Sequence, residues 1–528
     1  MFFPALEQGG FRFAFVAGVS HNHDPRARRV GRPGRAACCV PPISERRLSR
    51  YGRHFVRIRE LEEFERRLIA LFVDDPTALH PRHQALFRYA VVMAKMNRFR
   101  TPRGRDVELG EEVDGLRRWV IESLLPLIPA DGDARVDSLR EIAPVLALRV
   151  ERTRSELLEH HINDFGAEDL DEELRHKKPV LVLGGGGGSG LVHLGTFALL
   201  KELGVVPELI VGSSMGSIMG LMRAMERTYD PISVAMAFPK NVDYNTIFRP
   251  FSGFSRFGFP GAFHLNIMRL ARQVFEELLD HSMPRFSELP IKLEIVTTGV
   301  RKGFRFDDRE YEQASDESLT PLALRRKLKL FFGAVRQLSK NPRLLTQVVF
   351  GAESGTEHFP VIEAAGFSCA VPGFLHYDIF HDDPETIGPL ETVFDRHRLL
   401  RLCDGGVINN VPSKVAWESV QRGSIGTRNA HIMSFDAFAP LSKGRNLIWI
   451  PVQQIARPAV VANMPYSSYH KTFQDPPSPL QIFVNSYSKL KTIIKNAREE
   501  LEEDTPYIRE ALKELPPYGV WGKVDGSG

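Results

Sequence analysis

A strand–helix–strand unit with two glycine-rich turns constrains the fold of this chain more than any other feature. The apolar run PVLVL (179–183) leads into five consecutive glycines, and a helical pattern then separates it from a second run, ELIVG (208–212). Two strands joined by one helix within about thirty residues are typical of a right-handed βαβ unit, so we expect the strands to be parallel. Both glycine-rich turns then lie at the carboxyl edge of one sheet, where open α/β folds bind their ligands.

The turn after the second strand carries the pattern Gly-x-Ser-x-Gly, with Ser214 at its centre between Gly212 and Gly216. In this pattern the serine occupies a strained strand-to-helix turn that exposes its hydroxyl, and the glycines relieve crowding around it. A β-branched apolar run precedes the turn, and apolar residues at helical spacing follow it. We therefore predict that Ser214 is a nucleophile and that the two glycines support its turn.

The first turn, GGGGGSG (184–190), fits more than one kind of site. Gly185, Gly187 and Gly190 satisfy the GxGxxG pattern of dinucleotide sites, but that interpretation requires an acid at the end of the next strand. The nearby acid, Glu208, stands at the beginning of that strand, and no lysine follows Gly190 as a P-loop would require. Consecutive glycines can also direct backbone N–H groups toward an oxyanion beside a nucleophile. The second turn favours this last use.

A serine nucleophile needs a base, and the sequence offers two kinds. Asp404 follows an apolar run and precedes Gly405 and Gly406 in LCDGGVINNVP, at a predicted strand end. His431 and His470 also follow the serine and leave open a Ser–His–Asp esterase of the ordinary α/β-hydrolase type. Neither histidine lies in a distinctive sequence.

Taken together, the three sites resemble the patatin-like phospholipases, a family of lipid acyl hydrolases. That family has a loop of the form GGGxRG after its first strand, GxSxG at the elbow, and DGG about a domain's length later. The corresponding segments here are GGGGSG (185–190), GSSMG (212–216) and DGGVINN (404–410). The resemblance extends over about residues 178–440 and includes FSELPIKLEIVTTGV (286–300) and AAGFSCAVPGF (364–374).

The resemblance implies a three-layer α/β/α domain with a mostly parallel central sheet, and a Ser–Asp dyad that uses no catalytic histidine. Ser214 would attack the acyl carbonyl, and Asp404 would take its proton. The supporting residues implied are the oxyanion-binding amides of Gly185, Gly186 and Gly187, and Gly188, Gly190, Gly212, Gly216, Gly405 and Gly406 as parts of the motifs. Ser189 stands where the family commonly has Arg or Lys, so the loop is expected to differ there. A catalytically inactive lipid-binding protein is the remaining alternative.

The chain is too long for one ordinary core, and its composition and hydrophobic pattern change along its length. We expect a basic, disordered leader at 1–54, a helical region at 55–177 that precedes the catalytic domain, the patatin-like domain at 178–440 with a helical insertion near 305–355, and a C-terminal extension at 441–528.

Composition excludes several classes of protein and site. The formal charge is +4, from 69 basic and 65 acidic side chains, so no strong overall field attracts nucleic acid. Four cysteines without a CxxC pair indicate neither a disulfide framework nor a zinc site. We expect no metal, nucleotide or other cofactor.

The predicted partner is a lipid substrate at a membrane or lipid-droplet surface. No apolar run reaches the roughly 18 residues needed to span a bilayer, and the N-terminus lacks the basic region of a signal peptide. We therefore expect a cytoplasmic protein that binds membranes peripherally. Two stretches could contact lipid: the Phe-rich segment 248–263 and the basic segment 324–345. Packing within the domain and a solvated helix face are the simpler interpretations of these stretches.

Overall fold

The structure is a computed structural model that describes most of the chain. The residues described are 45–231, 248–250, 255–266, 283–304, 326, 329, 332–334, 336–338, 340–438, 450–479, 481 and 487–521. Apart from Glu45, they belong to one compact unit, Arg46–Gly528. The expected leader therefore falls largely outside the described residues, as does much of the expected insertion.

Twelve strands are present in the described residues: β1 (Arg98–Arg100), β2 (Asp106–Glu108), β3 (Lys178–Leu183), β4 (Leu209–Ser213), β5 (Phe248–Pro250), β6 (Gly261–Leu265), β7 (Lys292–Arg301), β8 (Leu345–Phe350), β9 (Gly373–His376), β10 (Leu399–Cys403), β11 (Ala430–Asp436) and β12 (Tyr469–Thr472). The helices are α1 (Glu45–Asp74), α2 (Pro81–Lys95), α3 (Asp114–Trp119), α4 (Val136–His160), α5 (Ala167–Arg175), α6 (His193–Glu202), α7 (Met215–Ala224), α8 (Val361–Ser368), α9 (Pro384–His397), α10 (Gly406–Asn409), α11 (Ser413–Gln421), α12 (Ile450–Asn463), α13 (Tyr487–Glu500), α14 (Thr505–Leu512) and α15 (Tyr518–Trp521).

The central sheet is mostly parallel, which confirms the predicted α/β class. Its strand order is β10–β7–β4–β3–β11–β12, and β8 pairs with β7 as well. Strands β3, β4, β7, β11 and β12 run parallel to one another, whereas β8 and β10 are antiparallel to β7. Apolar residues of β3 and β4 are fully buried because helices cover both faces of the sheet.

Strand β7 brings the ends of two other strands together. β4 pairs with Lys292–Val296 and β10 with Thr298–Arg301, whereas β8 pairs with Ile295–Val300 and so occupies the opposite edge. Because β4 is parallel to β7 and β10 is antiparallel, the two strands run toward each other along one edge of β7. Their last residues, Ser213 and Cys403, pair with Val296 and Thr298. The residues that follow them must therefore meet beside Thr297.

The helical region that precedes the sheet has a core of its own, formed mainly by α1–α5. A buried ion network connects it to the amino end of β3. Lys95, the last residue of α2, donates to Glu65 of α1 (2.7 Å), and Lys177 pairs with the same carboxylate. Burial alone would raise the pKa of Glu65, but the two ammonium groups hold that pKa well below its usual value.

Two segments of the chain have structures that their composition does not suggest. Within the stretch expected to be mainly helical, residues 345–350 (LTQVVF) form β8, since their β-branched side chains pack well on a half-buried sheet. Beyond residue 440, β12 pairs with β11 and extends the central sheet. Helix α13 packs on α6 so closely that a Cβ at Gly195 would lie 2.6 Å from Ala497 Cβ. The expected domain boundaries stay predictions, but the sheet includes residues on both sides of 440.

A small second sheet, β5–β6–β9, contains part of the Phe-rich segment. Phe257 and Phe259 are buried, and backbone hydrogen bonds join both residues to Leu402 of β10. These two rings thus belong to the interior of the domain. Phe251 and Phe254 lie outside the described residues.

Candidate active site

Ser214 occupies the turn between β4 and α7 in a conformation that side chains rarely adopt. Its φ is 52° and its ψ is −129°, as expected for a serine on a strained turn. The flanking glycines leave no room for side chains. A Cβ at Gly212 would lie 2.6 Å from the Gly216 carbonyl oxygen, and a Cβ at Gly216 would lie 2.1 Å from the Leu183 carbonyl oxygen. The pattern is therefore required by close backbone packing between β3, β4 and α7.

The hydroxyl of Ser214 donates a hydrogen bond to Asp404. The distance from Oγ to Oδ2 is 2.7 Å, and both side chains are buried. The two residues lie 190 positions apart in the sequence. They meet because β4 and β10 end opposite each other along β7. The pair predicted from the motifs is thus within the distance at which a base can take the hydroxyl proton.

Two further hydrogen bonds hold Asp404, one to its carboxylate and one to its backbone carbonyl. The backbone N–H of Gly406 donates to Oδ1 (2.7 Å), and Thr298 Oγ1 donates to the Asp404 carbonyl oxygen (2.8 Å). Gly405 has no room for a side chain, because a Cβ there would lie 2.2 Å from the Val296 carbonyl oxygen. The two glycines of the DGG motif therefore serve to seat the carboxylate against β7.

Burial raises the pKa of Asp404 from its usual 3.8 to about 6. The hydrogen bonds from Ser214 and from the Gly406 amide oppose this rise, because they stabilise the ionised form. The carboxylate is thus more basic than an exposed aspartate while it remains mostly ionised at neutral pH.

Two further residues of the site have no motif to mark them. The backbone N–H of Ser214 donates to Ser368 Oγ (2.8 Å), and that hydroxyl donates to the Val296 carbonyl oxygen (2.7 Å). Ser217 Oγ donates to the Ser214 carbonyl oxygen (2.6 Å). These hydroxyls satisfy backbone groups that the strained turn removes from the sheet ladder. Ser368 lies in the segment AAGFSCAVPGF, whose sequence gives a helix and a turn but no sign of this contact.

The glycine loop lies directly against the serine turn. A Cβ at Gly185 would come within 2.7 Å of Ser214 Cβ, and a Cβ at Gly190 within 2.5 Å of Met215 Cγ. Gly186 and Gly187 have φ values of 149° and 56°, which favour glycine. The Gly185 N–H donates to the Asn410 carbonyl oxygen at 3.3 Å. Within the described part of the chain, the N–H groups of Gly186 and Gly187 have no hydrogen-bond acceptor.

His193 is buried behind the glycine loop. Its Nε2 forms a 2.9 Å hydrogen bond with the Gly184 carbonyl oxygen, and burial lowers its pKa to about 4. The ring is therefore neutral at physiological pH and holds the start of the loop.

The histidines of the alternative esterase lie elsewhere. His431 pairs with Pro179 at the amino end of β3, whereas Ser214 follows the carboxyl end of β4. Burial lowers the pKa of His431 to about 3. His470 lies on β12, three strands from β4 and so about 14 Å across the sheet. Neither histidine has a hydrogen bond to Ser214 or Asp404 in the described residues.

The described residues contain no group of three or more His, Cys, Asp or Glu side chains placed to hold a metal ion. No helix in the described part of the chain is long and apolar enough to cross a membrane.

The segment that contains the serine turn, the glycine loop and Asp404 is also the part of the chain that is similar to known proteins. A family model described as "Patatin-like phospholipase" matches residues 181–417, which include Ser214, Asp404 and the whole glycine loop. The chain is 34% identical over 107 residues to "Lysophospholipase NTE1" of Mycosarcoma maydis, across 19% of this chain and 6% of that protein. It is 48% identical over 48 residues to human "Patatin-like phospholipase domain-containing protein 6", across 9% and 4%.

Rat "Patatin-like phospholipase domain-containing protein 7" is 43% identical over 54 residues, across 10% of this chain and 4% of that protein. The chain therefore matches only a small part of the length of these curated relatives. The family model, by contrast, runs from β3 to α11 and contains both the serine turn and the DGG motif. Residues 181–417 of this chain form a patatin-like phospholipase domain.

Proposed function

We propose that this protein is a serine lipid acyl hydrolase that cleaves carboxylic esters of phospholipids or related lipids. The observation that carries the proposal is the 2.7 Å hydrogen bond from Ser214 Oγ to Asp404 Oδ2 at a strained turn. A nucleophile and a base within hydrogen-bond reach are the minimum machinery for acyl transfer.

The reaction follows from this pair. Ser214 Oγ forms a bond to the acyl carbon while its proton passes to Asp404 Oδ2. The tetrahedral intermediate then collapses, the ester C–O bond breaks, and Asp404 returns the proton to the departing alcohol. Water then gives a proton to the same carboxylate and attacks the acyl-enzyme, the bond from Ser214 Oγ to the acyl carbon breaks, and Asp404 returns the proton to Ser214 as the fatty acid leaves. Asp404 thus serves as base and acid in turn, without a histidine.

The raised pKa of Asp404 supports this double role. A carboxylate with a pKa of about 6 is a better proton acceptor than an exposed aspartate, yet it is mostly ionised at pH 7. Its second oxygen accepts the Gly406 N–H and keeps the acceptor oxygen aimed at Ser214.

The glycine loop would stabilise the oxyanion. The N–H groups of Gly186 and Gly187, without acceptors in the described residues, are the donors we assign first. Gly185 adds a third donor if it releases its long bond to Asn410 (3.3 Å). Donors fixed in place before the reaction contribute more than donors that must reorient.

The proposed substrate class rests on the family and on its named relatives. The relatives include a lysophospholipase, so we propose glycerophospholipids and lysophospholipids as the first substrates to test. We further propose that the enzyme meets them at a membrane or lipid-droplet surface, as a peripheral protein of the cytoplasm.

Labelling with a fluorescent fluorophosphonate tests the nucleophile. We expect wild-type protein to label and Ser214→Ala to remain unlabelled. Ser467→Ala is the matched control, since it removes a buried hydroxyl whose partner is Ser434 (2.8 Å). A folded wild-type protein that fails to label, or a Ser214→Ala variant that labels normally, would refute the proposed nucleophile.

Acyl release then tests the base and the substrate class. Vesicles of diacyl phospholipid, micelles of lysophospholipid and emulsions of triacylglycerol are compared under the same conditions. Asp404→Asn should lower kcat by roughly 10²- to 10⁴-fold, the usual contribution of a general base. Full turnover by folded Asp404→Asn would exclude the dyad. Preference for triacylglycerol would correct the substrate class and leave the dyad in place.

A further inference from the structure

The C-terminal part of the chain reaches the glycine loop because of the sheet. Strand β12 is parallel to β11, which is parallel to β3, so all three end at the same carboxyl edge. The chain leaves β12 through Phe473, which is fully buried, and continues into Pro476, Pro477, Ser478 and Pro479. We call these last four residues the proline segment.

Two hydrogen bonds attach the proline segment to the glycine loop. The backbone N–H of Gly188 donates to the Pro479 carbonyl oxygen (2.8 Å). Ser189 Oγ donates to the Pro477 carbonyl oxygen (2.8 Å), and Ser189 is only 1% exposed. Successive residues of the loop are therefore anchored by carbonyl groups from almost 300 positions away in the sequence.

The contact also accounts for the residues at three positions of the loop, of which Ser189 departs from the GGGxRG pattern. Gly188 occupies its variable position, and a Cβ there would lie 2.4 Å from the Gln481 carbonyl oxygen. Ser189 occupies its basic position, where the short hydroxyl reaches Pro477. A Cβ at Gly187 would lie 2.5 Å from the Pro479 carbonyl oxygen. The loop is thus fitted to the proline segment on one side and to the serine turn on the other.

This double contact matters because five consecutive glycines have little conformational preference of their own. Glycine loses more backbone freedom on ordering than any other residue, and an oxyanion site works only when its donors are already fixed. The anchored residues, Gly188 and Ser189, directly follow Gly186 and Gly187, whose N–H groups have no acceptor among the described residues. Prolines in the anchoring segment limit its own freedom, since each fixes φ.

We propose that the proline segment is a positioning element of the active site, and that Ser189 anchors the glycine loop to it in place of the basic residue usual at that position. The inference rests on the proposed function, since the loop must bind an oxyanion for its position to matter. Ser189 acts through the loop and does not touch the reacting atoms.

The test compares Ser189→Ala with the matched control Ser467→Ala, both in the full chain. Each variant removes one buried hydroxyl that has an oxygen partner at 2.8 Å. For Ser189→Ala we expect kcat to fall roughly tenfold with KM unchanged, less than the loss of a whole oxyanion donor. The rate of fluorophosphonate labelling should fall in parallel. Ser467→Ala should leave both quantities near the wild-type values.

A measurement that needs no turnover checks the contact itself. Hydrogen exchange of the peptide that covers residues 184–190 should be faster in Ser189→Ala than in wild type, and unchanged in Ser467→Ala. Pro479→Gly, which keeps its carbonyl group but frees its φ, should accelerate the same exchange and lower kcat in the same direction. This second variant keeps the proposal testable if Ser189→Ala folds poorly.

The outcomes separate the two proposals. Wild-type protein that neither labels nor releases acyl chains refutes the proposed function, and the positioning role with it. Active wild-type protein, together with a Ser189→Ala variant of unchanged kcat and labelling rate, overturns the positioning role alone. Equal losses in Ser189→Ala and Ser467→Ala would show a merely structural hydroxyl. A higher kcat in Ser189→Ala would mean that the proline segment obstructs the loop, which also overturns the proposal.

Discussion

Replacing Asp404 with asparagine should inactivate the protein and, at neutral to alkaline pH, stabilise it. The pKa of this carboxyl is raised from 3.8 to about 6 because the group is buried. Each unit of difference between folded and unfolded pKa corresponds to about 1.4 kcal/mol. The ionised carboxylate therefore lowers the free energy of unfolding by roughly 3 kcal/mol. Asparagine has nearly the same shape and carries no charge, so it removes this penalty.

The protonation states of Asp404 in the folded and unfolded chains determine how its effect on stability changes with pH. Below about pH 4 the Asp404 carboxyl is protonated in the folded and unfolded chains alike, so it contributes no difference. Between about pH 4 and pH 6 the unfolded chain has released this proton while the folded chain keeps it, and stability falls as the pH rises. Above about pH 6 both states are ionised and the full penalty is present. The penalty is thus about 1 kcal/mol at pH 4.5 and about 3 kcal/mol at pH 8.

Urea unfolding of wild type and Asp404→Asn at pH 4.5 and pH 8 measures this difference. The stability of the variant relative to wild type should increase by about 2 kcal/mol between the two pH values. Steric effects of the substitution cancel in that comparison because they are the same at both pH values. A relative stability that does not change with pH, or that decreases as the pH rises, would refute the assignment of a buried, unfavourably ionised carboxylate.

Further predictions concern the base, the serine turn and the histidines. Acyl release should fall about tenfold per pH unit below about pH 6, as Asp404 becomes protonated, in a kcat/KM profile on a soluble ester. Gly216→Ala should lower the free energy of unfolding by about 3 kcal/mol, measured by thermal unfolding, since its Cβ would meet a backbone oxygen at 2.1 Å. The control Gly115→Ala, on an open helix face, should be neutral or stabilising. His431→Ala and His470→Ala should keep most of the wild-type kcat, and loss of turnover in either folded variant would favour the Ser–His–Asp alternative.

The parts of this structure that sequence predicts best are those encoded by neighbouring residues. The βαβ unit, the serine turn and the aspartate at a strand end all combine an apolar run with glycines a few positions away. The motif glycines have a steric cause, such as the 2.1 Å approach of a Cβ at Gly216 to the Leu183 carbonyl oxygen. Local patterns therefore identified Ser214 and Asp404 as candidates, although only the pairing of β4 and β10 with β7 shows why they meet.

Contacts between distant segments could not be predicted in the same way. Ser368 is 154 positions from Ser214, and Pro477 is 288 positions from Ser189. A serine that accepts a backbone N–H has no signature in its own neighbourhood. Strand β12, whose sequence is YHKT, is short and polar for a sheet strand, and it forms because β11 offers it a free edge. Its register then determines where the proline segment emerges.

The candidate active site combines several features that each oppose folding, and their placement explains how the fold supports them together. Ser214 has a strained backbone, Asp404 carries a poorly solvated charge, and the glycine loop has an ordering cost. All three follow the carboxyl ends of strands whose last residues are buried, so packing energy far from the site stabilises them. Strands on both sides of the site, from β10 to β12, contribute residues to it. The proline segment, which follows β12, is therefore placed to hold the glycine loop. A basic side chain at position 189 would have to displace that segment, whereas serine binds it.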